Sequence, residues 1–256
     1  MQKISKNKLK YFRSFLQKKV RKKNKKFIAE GEKCVEEVLK SSFEITDILY
    51  LQGSGKKFLH LIESAKKRNI NVLTGSKKEL KECSDSITPQ GIIALIKEKK
   101  YDYNILFDKR INLLLLLDSI SDPGNLGTII RTADWFGVQG ILLGGNSVEL
   151  YNPKVVRSTM GSIFHIPIFE NINLKEEIGK LKNAGFRIYA ADVRGEKKLN
   201  FRSKKIALLL GNETRGVSPE LLKITNYKIA IPGDGRCESL NVAVSGGILL
   251  WEIFHI

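Results

Sequence analysis

The sequence predicts a two-domain α/β protein whose second domain is organised on a parallel sheet. Three observations carry that prediction. Short apolar runs alternate with amphipathic stretches along the whole chain. Leu113–Leu117 is a run of five leucines, too short to cross a membrane and suited to a strand buried on both faces. Charge is unevenly divided: the formal net charge is +17, and residues 1–100 alone hold 25 Lys/Arg against 11 Asp/Glu. At 256 residues and 42% hydrophobic content, the chain can bury a substantial core.

Taken in order, residues 5–26 read as one basic helix with Leu9, Phe12, Phe15 and Leu16 as its inward face. Phe27 to Leu39 gives a short apolar start and a helix, and Ile45–Leu51 a strand. A helix over Phe58–Lys67, a strand over Ile70–Leu73, a short helix over Lys77–Leu80 and a strand over Gly91–Ile96 complete a small α/β unit. Lys97–Arg110 is charged and irregular, as a linker would be, which sets domain boundaries at 1–100, 101–110 and 111–256. Beyond it, strands are expected at Leu113–Leu117, Gly140–Leu143, Phe164–Ile168, Arg187–Ala191, Lys205–Leu210 and Tyr227–Ile231. Helices are expected near Thr128–Phe136, Lys154–Thr159, Leu174–Ala184, Pro219–Ile224 and Leu240–Phe254. This alternation calls for a parallel sheet with helices on both faces.

Composition narrows the function classes. The first 26 residues contain 12 cations and no acid, the electrostatic footprint of a nucleic-acid partner. Nothing in the opening residues has the apolar core of a signal peptide, and no run is long enough to span a membrane. Cys34, Cys83 and Cys237 are an odd, unpaired set, and the three histidines are scattered. Neither a disulfide framework nor a metal site is expected, and the compartment is a reducing cytoplasm.

Three polar clusters each follow a strand: Asp122–Gly127 with Arg131, Gly211–Gly216, and Pro232–Asn241. Strand ends on one edge of a parallel sheet converge, so the clusters can share one pocket. Arg131 lies off the apolar stripe Leu126, Ile129, Ile130 and Ala133, and so faces away from its own core. Familiar alternatives fail on detail. Gly53–Lys57 lacks the spacing and the hydroxyl of a phosphate-binding loop, no GxGxxG follows Leu117, and no GxSxG elbow occurs.

Together DPGNLGTIIRTA, LLLGNETRGVSPE and IPGDGRCESLNVAVSGGI resemble the three motifs of the SpoU (TrmH-like) family of RNA 2′-O-ribose methyltransferases. The resemblance covers Leu113–Ile256 and includes NPKVVRSTMGS; Ala243–Gly247 departs from the family's usual pattern. The first half more loosely resembles that family's N-terminal substrate-binding module of ribosomal-protein L30e-like fold. The resemblance implies an α/β trefoil-knot (SPOUT) methyltransferase domain over residues 111–256, behind an RNA-binding domain over residues 1–100. It further implies a homodimer, with S-adenosylmethionine as cofactor; the residues themselves give no sign of a metal or membrane partner. By position, Leu210, Gly211, Ile231 and Leu240 would hold the cofactor. Asn125, Arg131, Glu213, Ser239 and Asn241 match the polar site positions, with Arg131 in the catalytic role. The expected substrate is RNA, with large-subunit rRNA ahead of tRNA. A non-catalytic RNA-binding or ribosome-assembly protein is the alternative from another class.

Overall fold

The computed structural model describes residues 2–197, 201 and 203–255. Ile256, the last residue of the expected second domain, lies outside them. The chain forms two compact units, Met1–Lys100 with Glu149–His165, and Tyr101–Val148 with Ile166–Ile256.

The first unit contains β1 (Gln2–Lys3), α1 (Lys6–Ser14), α2 (Lys18–Asn24), β2 (Lys26–Glu30), α3 (Glu32–Lys40), β3 (Ile45–Leu51), α4 (Leu59–Lys67), β4 (Asn71–Gly75), α5 (Lys77–Glu82) and β5 (Ile92–Lys97). Its five-stranded sheet has the order β1-β4-β3-β5-β2. Pairing is parallel at β1–β4 and β3–β4 and antiparallel at β3–β5 and β2–β5. Strand β3 has the limits that its apolar pattern predicts. The single basic helix does not form; the chain breaks between Ser14 and Lys18. Leu16 and Phe15 turn their carbonyls to the buried guanidinium of Arg21, at 2.9 and 2.7 Å from Nη1. An unbroken helix would have committed those carbonyls to its own ladder. The expected inward face is present, with Phe12 and Phe15 fully buried.

The second unit opens with a segment expected to be a linker. Tyr103–Phe107 instead winds into a 3-10 turn, Leu106 is fully buried, and the Tyr103 hydroxyl donates to Glu177. Then follow β6 (Leu113–Leu117), α6 (Pro123–Trp135) and β7 (Gly140–Gly144). Helix α6 starts five residues earlier than expected because Asp122 caps it, accepting from the Asn125 N–H at 2.8 Å, with Pro123 in the first turn. The Asp-Pro-Gly-Asn stretch is thus the first turn of the helix.

Residues 149–165 depart from the continuous second domain that the sequence suggests, since they belong to the first unit. They contain α7 (Pro153–Ser158). Arg21 Nε donates to Glu149 at 3.0 Å in a buried ion pair. Tyr151 stacks on Phe27, and Phe164 meets Phe43 edge to face. Phe164 is therefore core of the first unit, which is why the next strand, β8 (Ile168–Ile172), begins four residues later than its apolar pattern suggests.

The remaining elements are α8 (Leu174–Asn183), β9 (Arg187–Glu196), β10 (Ile206–Leu210), α9 (Pro219–Leu222), β11 (Tyr227–Ile229) and α10 (Val242–Phe254). The six-stranded sheet has the order β11-β9-β10-β6-β7-β8, and its pairings are all parallel. Leu114, Leu116, Ala207 and Leu209 pack with α8 and α9 residues on one face. Alternation sends Leu115, Leu117, Leu208 and Leu210 to the other face, where α10 lies close enough that a Cβ on Gly246 would meet Leu210 Cδ1 at 2.8 Å. Among the described residues, no helix is long and apolar enough to cross a membrane.

Candidate active site

Strands β6 and β10 are neighbours in register from Leu113/Ile206 to Leu117/Leu210. Their carboxyl ends therefore deliver the first two polar segments side by side. Asp118 N–H donates to the Leu210 carbonyl at 2.8 Å, and Asp118 Oδ2 accepts from the Ser218 N–H at 2.8 Å, closing the loop after β10. Within that loop Asn212 and Gly216 exchange both backbone hydrogen bonds, and Asn212 Oδ1 accepts from the N–H groups of Thr214 and Arg215. Gly211 is where the chain passes closest to itself. A Cβ there would stand 2.1 Å from the Gly216 carbonyl carbon and the Val217 nitrogen, so no larger residue fits.

Glu213 is the hub. Its Oε1 accepts from Asp122 N–H at 2.9 Å and Asn125 Nδ2 at 3.2 Å. Its Oε2 accepts from Ser121 N–H at 3.1 Å, Ser121 Oγ at 2.8 Å and Asn212 Nδ2 at 3.2 Å. Burial alone would raise this carboxyl. The donors, led by the Asp122 backbone, outweigh it and hold the group at about 2. Asn125 Oδ1 in turn accepts from Asn241 Nδ2 at 3.0 Å. Asn241 is also the N-cap of α10, accepting from Ala243 N–H at 2.9 Å and Val244 N–H at 3.3 Å. One continuous network thus joins the end of β6, the start of α6, the loop after β10 and the start of α10. Helix α10 begins at Val242, two residues later than the sequence predicts, because Asn241 caps it.

The remaining candidates fall outside this network. Arg131 is exposed on α6, and its guanidinium has no hydrogen-bond or ion-pair partner among the described residues. Ser239 is exposed and likewise without a side-chain partner among them. Leu240 is half exposed and Ile231 half-buried, whereas Leu210 and Gly211 are buried. The Leu210 side chain lies in the core under α10. Among the described residues the main chain from Ile231 to Leu240 makes no backbone–backbone hydrogen bond, so its donors and acceptors remain open to a ligand. Sequence reasoning gives no individual role to Ser121, Asp118 or Asn212. A hydroxyl one residue before the Asp-Pro cap is the signal that could have found Ser121.

Two of the three thiols, Cys34 and Cys83, are buried in the first unit. Burial pushes Cys34 up to about 11 and Cys83 up to about 12, so both stay protonated. Among the described residues no group of three His, Cys, Asp or Glu side chains is placed to hold a metal ion.

These features define an α/β protein with a composite polar site at the carboxyl edge of a parallel sheet, preceded by a basic module. Residues 112–251 match the SpoU rRNA Methylase family, and residues 6–94 match the MRM3-like substrate binding domain. The chain belongs to the SpoU rRNA methylase family. It is similar to RlmP of Bacillus subtilis (strain 168), a 23S rRNA (guanosine(2553)-2′-O)-methyltransferase, at 34% identity over 96% of this chain and 95% of the relative. Among solved structures it is similar to an AdoMet-bound rRNA methyltransferase from Sinorhizobium meliloti, with a TM-score of 0.86, 31% identity and coverage of 98% and 95% of the two chains. It also matches an RNA 2′-O ribose methyltransferase with a TM-score of 0.86, 26% identity and coverage of 100% and 98%. The fold is the two-domain SPOUT architecture of TrmH/SpoU methyltransferases, as the motifs implied.

Proposed function

We propose that this chain transfers a methyl group from S-adenosylmethionine to a ribose 2′-hydroxyl of RNA, with 23S rRNA in the cytoplasm as the substrate. The observation that carries the reading is the contrast within the site. Glu213, Asn125 and Asn241 saturate one another, while Arg131 and the Ile231–Leu240 main chain remain available. The open backbone donors and acceptors of that loop, with Ile231 and Leu240 beside them, suit the edge and faces of an adenine. The similarity to an AdoMet-bound rRNA methyltransferase supports the assignment, and RlmP supports the choice of 23S rRNA.

When bound, S-adenosylmethionine supplies an electrophilic methyl on a sulfonium that is a good leaving group. The chain's task is then to position the 2′-hydroxyl in line and ease loss of its proton. A guanidinium offers donors and no acceptor, so Arg131 is placed as a donor and not as a base. It holds the adjacent phosphate and stabilises negative charge developing on the 2′-oxygen, while a phosphate oxygen or water takes the proton. Ser239 is free to orient the nucleotide. The 2′-hydroxyl itself makes RNA the substrate class.

The working form is a homodimer. Val244, Trp251 and Phe254 on α10 and Trp135 on α6 are large apolar side chains left exposed, 83% in the case of Trp135. Such a patch marks an interaction face. Arg131 lies one turn before Trp135, on the same side of α6, so a second copy docked there would bring its own loops to this arginine. The deciding experiment is incubation with a 23S rRNA transcript and radiolabelled S-adenosylmethionine, with mapping of the modified nucleotide. Label retained on the 2′-oxygen is expected; label on a base, or none, refutes the reading.

A further inference from the structure

The free edge of the second unit's sheet carries an arrangement that methyl transfer does not use. Strand β11 is one of the two edge strands. Tyr227 pairs with Tyr189 and Lys228 with Ala190, but Ile229 pairs with Glu196, so Ala191 to Gly195 fall opposite no residue of β11. This bulge is tightly specified. Asp192 accepts from the Arg194 N–H at 2.9 Å, from Nε at 3.1 Å and from Nη2 at 3.0 Å. A Cβ on Gly195 would stand 2.6 Å from the Ile229 nitrogen, so only glycine lets the two strands meet there. Bulges of this kind re-aim side chains, and here they send out Val193, 66% exposed, and Arg194.

Beside the bulge, the Tyr227 ring stacks on buried Tyr189 with centroids 4.7 Å apart and planes 20° apart. Stacked in this way, Tyr227 remains 41% exposed. Arg194, Tyr227 and Lys228, with Thr225 and Asn226, line an open recess of about 330 Å³. Glu196 is the exposed acid of this lining; Asp192 is committed to orienting Arg194. A part-exposed aromatic ring, backed by a second ring and sharing a recess with two cations, is an arrangement that can stack a nucleic-acid base and hold its phosphates. Strand β11 runs within five residues into Pro232, where the third polar segment starts. At about 3.3 Å per extended residue the recess lies on the order of 15 Å from that loop, a span of a few nucleotides.

We propose that the β9 bulge and Tyr227 form a second RNA contact, on which a single-stranded nucleotide flanking the methylated one stacks. Tyr227 supplies the face, and Arg194 and Lys228 hold the phosphates. This rests on RNA being the substrate, and the experiment separates the two ideas. The full-length chain is titrated by fluorescence anisotropy with a labelled 12-nucleotide single-stranded RNA at several salt concentrations, and is assayed on the 23S rRNA transcript. Tyr227→Leu should weaken oligonucleotide binding by about fivefold or more, whereas Tyr227→Phe, which keeps the stack, should not. Lys228→Gln and Arg194→Gln should each lower the dependence of log affinity on log salt by about 0.7. S-adenosylmethionine binding should not change in any of them. Should Tyr227→Leu lower the melting temperature, Lys228→Gln decides, because its side chain is exposed and makes none of the bonds that shape the bulge. Wild-type affinity and salt dependence in both cation variants overturn the proposal. A wild-type chain that binds no RNA overturns the functional reading instead.

Discussion

Replacing Glu213 by Gln tests the hub of the site in isolation. The carboxylate accepts five hydrogen bonds, two at Oε1 and three at Oε2. A glutamine must turn its amide nitrogen toward one of those sets of donors, so N–H groups would face N–H groups. Leaving such donors unsatisfied costs about 1–3 kcal/mol. The same donors lower the Glu213 carboxyl from 4.5 to about 2, which expresses their effect as a second figure. Converted directly it is worth about 3 kcal/mol at most, and solvent reaching the half-buried carboxylate reduces that to roughly 1–2 kcal/mol. The pH dependence fixes the sign. A carboxyl whose folded pKa is depressed stabilises fully above its unfolded value and loses that contribution as pH falls through its folded value. Urea unfolding of wild type and Glu213→Gln at several pH values should thus show a gap of about 1–2 kcal/mol at pH 6–7. The gap should narrow below pH 4.5, with more than half of it gone near pH 3. A gap that stays constant from pH 6 to pH 3 would refute the ionised hub.

Arg131→Ala should abolish methylation of the 23S rRNA transcript while S-adenosylmethionine binding, followed by calorimetry, persists; loss of cofactor binding would make Arg131 structural. Converting the exposed Lys18, Lys19, Lys22 and Lys23 of α2 to Gln should weaken RNA binding and flatten its salt dependence, by about 0.7–0.9 for each phosphate that is no longer neutralised. Arg21→Met alone should cost about 3–5 kcal/mol in urea unfolding, because it strands the buried Glu149 carboxylate; the double variant with Glu149→Leu should recover much of that. Gly211→Ala should fail to reach the native fold, seen as loss of the cooperative thermal transition, because its methyl has nowhere to go.

What the sequence discloses follows the range of the forces involved. Strands β3 and β6 match their predicted limits because a buried strand is specified by its own apolar run. The basic N-terminal stretch looks like one helix because its break depends on Arg21, whose partner Glu149 is 128 positions away. Strand β8 starts late because Phe164 has the composition of strand material, yet its ring is claimed by Phe27 and Phe43. No local pattern shows which aromatic will be taken by a distant cluster. At the site, the motifs locate the three polar segments. They do not show that α6 starts from an Asp122 cap rather than near Thr128, nor that Leu210 turns into the core.

The site's polar residues divide by whether they are spent. Glu213, Asn125 and Asn241 each use their side chains on one another and on the backbone, and a carboxyl held at about 2 is too weak a base to take a proton from a ribose hydroxyl at neutral pH. Their part is to fix where the α6 and α10 N-termini and the loop after β10 stand, which a transfer reaction needs because in-line geometry tolerates little error. Of the five polar positions that the motifs single out, Arg131 and Ser239 are the two that are exposed and unpartnered among the described residues. A saturated network holding an unsaturated arginine costs little reorganisation when RNA arrives, because the donors and acceptors that set its position are already satisfied. The methylation and binding readouts should therefore separate cleanly. Variants of the network should lose folding stability and both ligands together, and variants of Arg131 should lose turnover while stability and S-adenosylmethionine binding persist.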